Sequence, residues 1–137
     1  GEALVVYDAT AGTILDSWQL PQRSNYTPCP AFAPDGDSVA TGAGDNTIRV
    51  FHADGSVLVL EGHTSPVWST AFSPDSSLLA SVGSDGTVRL WSAADGSLLG
   101  TLWGHNGRVD IVAFSPDGTL LASGSDDGTV RLWGVGR

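Results

Sequence analysis

The chain has 137 residues, with 15 acidic side chains against 6 basic ones, every basic one an arginine, for a net charge of −9. That balance repels polyanions, so nucleic acid and anionic membrane surfaces are excluded as default partners. A content of 41% hydrophobic and 15% charged residues describes a soluble folded chain, and no apolar run approaches the ~20 residues of a membrane span.

From the N-terminus, residues 3–8 (ALVVYD) and 13–19 (TILDSWQ) flank a small-residue turn and read as two strands by their match to the repeat that follows. Three longer segments follow and repeat one another: 22–61, 62–103 and 104–133. Phe32, Phe72 and Phe114 lie 40 and 42 apart, and Phe51, Trp91 and Trp133 repeat both intervals. The pairs Arg23–Phe51, His63–Trp91 and His105–Trp133 are each 28 apart. Each unit shows a period of two, rich in Val, Leu and Thr and cut by Gly, Pro and Asp, which predicts four short strands, a to d, joined by tight turns. In the middle unit these are 67–72, 78–82, 87–91 and 97–102. Residues 3–8 align with strand c, 13–19 with strand d, and the last unit stops after a strand c at Trp133.

The Gly-His pairs at 62–63 and 104–105, the Phe-Ser-Pro-Asp turns at 72–75 and 114–117, and Ser-Asp-Gly-Thr-Val-Arg-Leu-Trp at 84–91, echoed at 127–133, resemble the WD-repeat (β-transducin-like) propeller family. The likeness extends over almost the whole chain. It implies an all-β fold of four-stranded antiparallel blades around an axis, strand a innermost. Residues 1–137 are then part of one propeller: 2–20 supply strands c and d of one blade, 22–61 and 62–103 are blades, and 104–137 are a final blade lacking strand d. Such an incomplete ring exposes strand faces and edges. It is expected to be completed by another polypeptide, the favoured reading, or by further copies of the chain. The lack of Met, the start at Gly1 and the lack of a signal peptide lead to the same expectation of a longer protein.

The resemblance also implies a hydrogen-bonded tetrad in each regular blade: His63, Ser81, Asp85 and Trp91 in one, and His105, Ser123, Asp127 and Trp133 in the next. These histidines are therefore structural, not metal ligands or general bases. The unit 22–61 departs from the pattern, with Arg23 and Phe51 in place of His and Trp beside Thr41 and Asp45; an Arg23–Asp45 ion pair could substitute. Arg49, Arg89 and Arg131 recur on strand c and are expected to snorkel toward local carboxylates. The Asp-Gly turns lack the alternating ligands and terminal Glu of a calcium loop. A lone Cys29 offers neither an internal disulfide nor a zinc site and fits a reducing, cytoplasmic compartment. There is no nucleophile elbow, phosphate loop or zinc-protease motif, so neither catalysis nor a cofactor is expected.

In this family the face bearing the d–a and b–c loops commonly binds protein segments. Position by position, the resemblance assigns to it Tyr26, Pro28 and Gly44; Pro66, Trp68 and Ser84; and Arg108, Asp110 and Asp126. Trp68, bordered by Tyr26 and Arg108, has the residue types that dominate interface hot spots. The expected function is a non-catalytic scaffold presenting this face to a protein or peptide. Alternatives are a glycan- or small-molecule-binding propeller, with Trp18, Trp68 and Trp103 as stacking candidates, and a purely structural assembly module. The regular repeats and the absence of Lys suggest a GC-rich bacterial source, where similar propellers are often joined to signalling kinases or ATPases.

Overall fold

The structure, a computed structural model, describes residues 3–19 and 29–136. Its regular elements are all strands: β1 (Ala3–Tyr7) and β2 (Ile14–Gln19); β3 (Ala31–Phe32), β4 (Ser38–Gly42), β5 (Ile48–His52) and β6 (Val57–Leu60); β7 (Val67–Phe72), β8 (Leu78–Gly83), β9 (Val88–Ser92) and β10 (Leu98–Leu102); β11 (Val109–Phe114), β12 (Leu120–Ser125) and β13 (Val130–Gly134). They form antiparallel meanders of two, four, four and three strands, each paired in chain order. In the middle repeat the observed strands lie within one residue of the expected bounds. The fold is all-β, built of consecutive antiparallel blades, and the ring is not closed. No helix of the described residues is long and apolar enough to cross a membrane.

The turns follow from their side chains. In the β7–β8 connection Asp75 Oδ1 accepts the Ser77 N–H at 3.0 Å and the Ser73 hydroxyl at 2.6 Å, and Ser73 Oγ accepts the Leu78 N–H at 2.9 Å. Ser115, Asp117, Thr119 and Leu120 repeat this network between β11 and β12. Local hydrogen bonds of this kind set the turn and hence the strand register.

Apolar residues lie on both faces of the middle sheet. Val67, Phe72, Leu79 and Trp91 join Ala40, Ile48, Val50 and Leu60 of the preceding sheet in one core. Ala80, Val82 and Val88 face the other way and meet Val109, Val112 and Leu121 of the following sheet in a second core. A smaller contact, Leu4 against Val39 and Phe51, joins β1 to the sheet after it. No sheet has a core of its own, so each is stable only between neighbours.

The three repeats therefore do not bury equivalent positions equally. Ser69 is 3% exposed, whereas Ile111, at the same place in β11, is 62% exposed. Leu132 is also exposed, on the face of the last sheet that corresponds to the buried forward face of the middle one. Phe72 is buried and Phe32 exposed: Phe72 shares a core with Ala40 of β4 and with Ala33 just after β3, while the described strands before Phe32 are β1 and β2.

Val88 and Val130 test this directly, being the same repeat position at 0% and 74% exposure. Val88→Ala is expected to cost about 1–3 kcal/mol in urea unfolding. Val130→Ala should stay within about 0.5 kcal/mol. Equal losses would show that the forward face of β11–β13 is covered in solution.

Candidate interaction site

Two relays, the first buried and the second partly so, fix one end of the blades. The Trp91 indole N–H donates to Ser81 Oγ at 2.8 Å, Ser81 Oγ lies 2.7 Å from His63 Nε2, and His63 Nδ1 lies 2.8 Å from Asp85 Oδ2. Indole N–H is a donor only and carboxylate an acceptor only. The chain of bonds therefore runs one way: Trp91 to Ser81, the Ser81 hydroxyl to His63 Nε2, and His63 Nδ1–H to Asp85. The proton on Nδ1 is thus assigned by its neighbours. The second relay repeats the pattern, Trp133 to Ser123 at 2.9 Å, Ser123 to His105 at 2.8 Å and His105 to Asp127 at 3.0 Å. These are the eight residues assigned to the two tetrads.

The carboxylates do more than orient imidazoles. Asp85 also accepts the Thr64 N–H, the Thr87 N–H and the Thr87 hydroxyl, so one side chain ties the β6–β7 loop to the β8–β9 turn. Burial opposes its ionisation, but donation from His63 and Thr87 outweighs this and holds its carboxyl far below the usual range. Asp127 is lowered likewise by the Thr129 hydroxyl, the Asn106 N–H and His105. At Gly62 a Cβ would sit 3.0 Å from the Trp91 ring and 3.1 Å from the Arg89 guanidinium at a φ of 156°, which accounts for glycine before each relay histidine.

Above the relays, strands β7 and β11 each carry a bulge. Val67 and Ser69 oppose the consecutive residues Gly83 and Val82, leaving Trp68 as the extra residue; Val109 and Ile111 oppose Ser125 and Gly124, leaving Asp110 extra. A bulge re-aims the side chain it inserts. The Trp68 N–H donates to Ser84 Oγ at 2.6 Å, and the Arg108 guanidinium carbon lies 4.8 Å from the Trp68 ring centroid. Arg108 Nε in turn donates to Asp110, and Asp126 adds attraction to the same guanidinium. Backbone bonds fix the frame: the Ser84 N–H donates to the Pro66 carbonyl and the Asp126 N–H to the Arg108 carbonyl. Asp126 also overhangs Gly107, where a Cβ would clash with its Oδ1.

Of the residues assigned to this face, Pro66, Trp68, Ser84, Arg108, Asp110 and Asp126 are thus brought together. Gly44 is buried in the β4–β5 turn of the unit before. Tyr26 and Pro28 lie outside the described residues, as does Arg23 of the substitute ion pair. Asp45 is engaged by Thr47 and by Arg49 at 2.9 Å, and the Thr41 hydroxyl donates to the Gly42 carbonyl. Arg89 reaches Asp85 only at 4.0 Å. Among the described residues no carboxylate pairs with Arg131, so the expected local pairing of strand-c arginines is strong once, weak once and absent once. The expected neighbourhood of Trp68 and Arg108 is thus present, but the bulges were not anticipated; the offset of two residues on one strand against one on the next becomes visible only when the pairing is known.

A family model described as WD domain, G-beta repeat, matches residues 28–52, 54–92 and 96–134. No curated protein matches the chain.

Ser81→Ala would leave the Trp91 N–H without its acceptor inside the core and should lower stability by about 1–3 kcal/mol. Ser123→Ala should cost less, because Trp133 is half-exposed; chemical denaturation of both variants checks the order. Acid should act through the same carboxylates. The folded-state values of Asp85 and Asp127 lie below those of the unfolded chain, and Asp117, held by Thr119 and Ser115, is lowered to about 2. Their contribution is complete above about pH 4 and lost as the pH falls through the folded values, because the unfolded state takes up protons first. Urea midpoints measured from neutral pH down to about 2 should fall in this window, with a shallower slope in Asp85→Asn.

Proposed function

We propose that this chain, which belongs to the WD-repeat family, is a non-catalytic scaffold that binds a protein or peptide partner on the face carrying Trp68, Ser84, Arg108, Asp110 and Asp126. WD repeats are in general protein-interaction modules, and the finer assignment rests on one observation: two strand bulges aim Trp68 and Asp110 at a common cluster with Arg108. An aromatic ring and an arginine on a rigid frame are what interface hot spots are made of. The relays support a non-catalytic reading, since both ring nitrogens of His63 and of His105 are engaged internally. The exposed forward face of β11–β13 supports a second requirement, a neighbouring sheet supplied by another polypeptide or by further copies.

A glycan- or small-molecule-binding role draws less support. Trp103 is exposed on the β10–β11 connection, and a cavity of about 530 Å3 between Leu78, Leu90, Leu99 and Val135 is lined by neither Trp103 nor Trp68. Peptides selected from a displayed random library against the chain check the scaffold reading. Trp68→Ala should weaken the selected binders about tenfold or more. Binders that keep full affinity for Trp68→Ala would remove this face from consideration.

A further inference from the structure

The cluster around Trp68 indicates which chemistry it takes from a partner, on the reading that this face is the binding face. One face of the Trp68 ring is covered by a guanidinium, and two carboxylates, Asp110 and Asp126, act on that guanidinium. A π-face flanked by carboxylates suits a planar, weakly hydrated cation that can stack and hydrogen-bond at once. The present occupant comes from the chain itself. Arg108 stands on the loop before β11, and its side chain is 43% exposed, as is Asp110 at 42%. Its bonds are therefore of the exposed kind, an ion pair and a cation–π contact that solvent largely screens. The charge balance also favours a cation, because Arg108 is bonded to Asp110 while Asp126, tied by its N–H to the Arg108 carbonyl, adds a second negative charge nearby within a chain of net charge −9.

We propose that Trp68, Asp110 and Asp126 form a receptor for an arginine side chain of the partner, and that Arg108 is a built-in occupant that the partner displaces. Arg108 then sets the affinity of the site from within. Removing it opens the ring face and leaves both carboxylates uncompensated, so binding of a guanidinium is strengthened. Lysine is a poorer ligand here, since an ammonium is compact, strongly hydrated and unable to stack through a plane.

The test is a titration of the chain with N-acetyl-arginine amide and N-acetyl-lysine amide, followed by the NMR signal of the Trp68 indole N–H, assigned through Trp68→Phe. Arg108→Ala should bind the arginine probe about tenfold more tightly than the unsubstituted chain, the gain expected from losing one exposed ion pair and one exposed cation–π contact. The lysine probe should bind more weakly than the arginine probe. Asp110→Asn with Asp126→Asn, both at accessible positions and checked for folding by circular dichroism, should abolish the gain in the Arg108→Ala background. An Arg108→Ala chain no tighter than its parent, or a response that survives both Asn substitutions, overturns the proposal. Selected peptides that depend on Trp68 but carry no arginine would overturn it too while leaving the scaffold reading in place.

Discussion

The three sheets from β3 to β13 are apolar on both faces, and that constraint governs the rest. A sheet in a two-layer sandwich hides one face and wets the other. Here Leu79 points back into one core while Ala80, the next residue on β8, points forward into another. Alternation along a strand therefore sorts residues between two neighbours and not between core and water. Stability becomes a property of junctions, as in other repeat arrays. The same repeat position is then buried or exposed according to whether a sheet follows it, as Val88 and Val130 show.

Apolar junctions hold the sheets together but do not fix the loops of the proposed binding face. That is the role of the relays. Asp85 joins a histidine 22 residues upstream, the backbone N–H of Thr64 and its own turn at Thr87. The β6–β7 loop, which enters β7 just before Trp68, is thereby locked to the β8–β9 turn, which carries Ser84. The indole–serine–histidine chain roots this lock in the core. A polar network buried this fully has to be complete, because each missing partner leaves a desolvated group behind. The site above it inherits that rigidity, while Arg108 and Asp110, outside the network, remain half in water.

Much of this was legible in the residues because spacing carried it. His to Ser, Ser to Trp and His to Asp recur at 18, 10 and 22 residues in two units, and the bonds connect those same pairs. The strands of the middle repeat were legible because turn residues bracket them. What escaped depends on relations between strands. A bulge is a mismatch in pairing, so nothing in Val67, Trp68 and Ser69 by themselves marks Trp68 as the extra residue. Arg108 was expected beside Trp68, but its stacking on the ring crosses from one unit to the next and links positions that are not equivalent in the repeat. The exposure of Phe32 likewise follows from the strands before it and not from its own segment.

The net charge of −9 takes on a different meaning once the turns are seen. Among the described residues, nine aspartates accept the backbone N–H two residues ahead: Asp8, Asp35, Asp54, Asp75, Asp95 and Asp117 at one end of the strands, and Asp45, Asp85 and Asp127 at the other. Removing those nine from 15 acidic residues leaves six, equal to the six arginines. The excess charge is therefore the sum of the turn chemistry, one carboxylate for each tight connection. Turn aspartates are committed to backbone donors, which is why Asp8, Asp54 and Asp95 are all lowered by donors in their own turns. They contribute a long-range field that favours cationic partners and repels polyanions. On the reading proposed above, the choice of a particular cation falls to carboxylates that do not accept a turn N–H of this kind: Asp110, which accepts from the guanidinium over Trp68, and Asp126 in the β12–β13 turn, whose charge adds to the attraction.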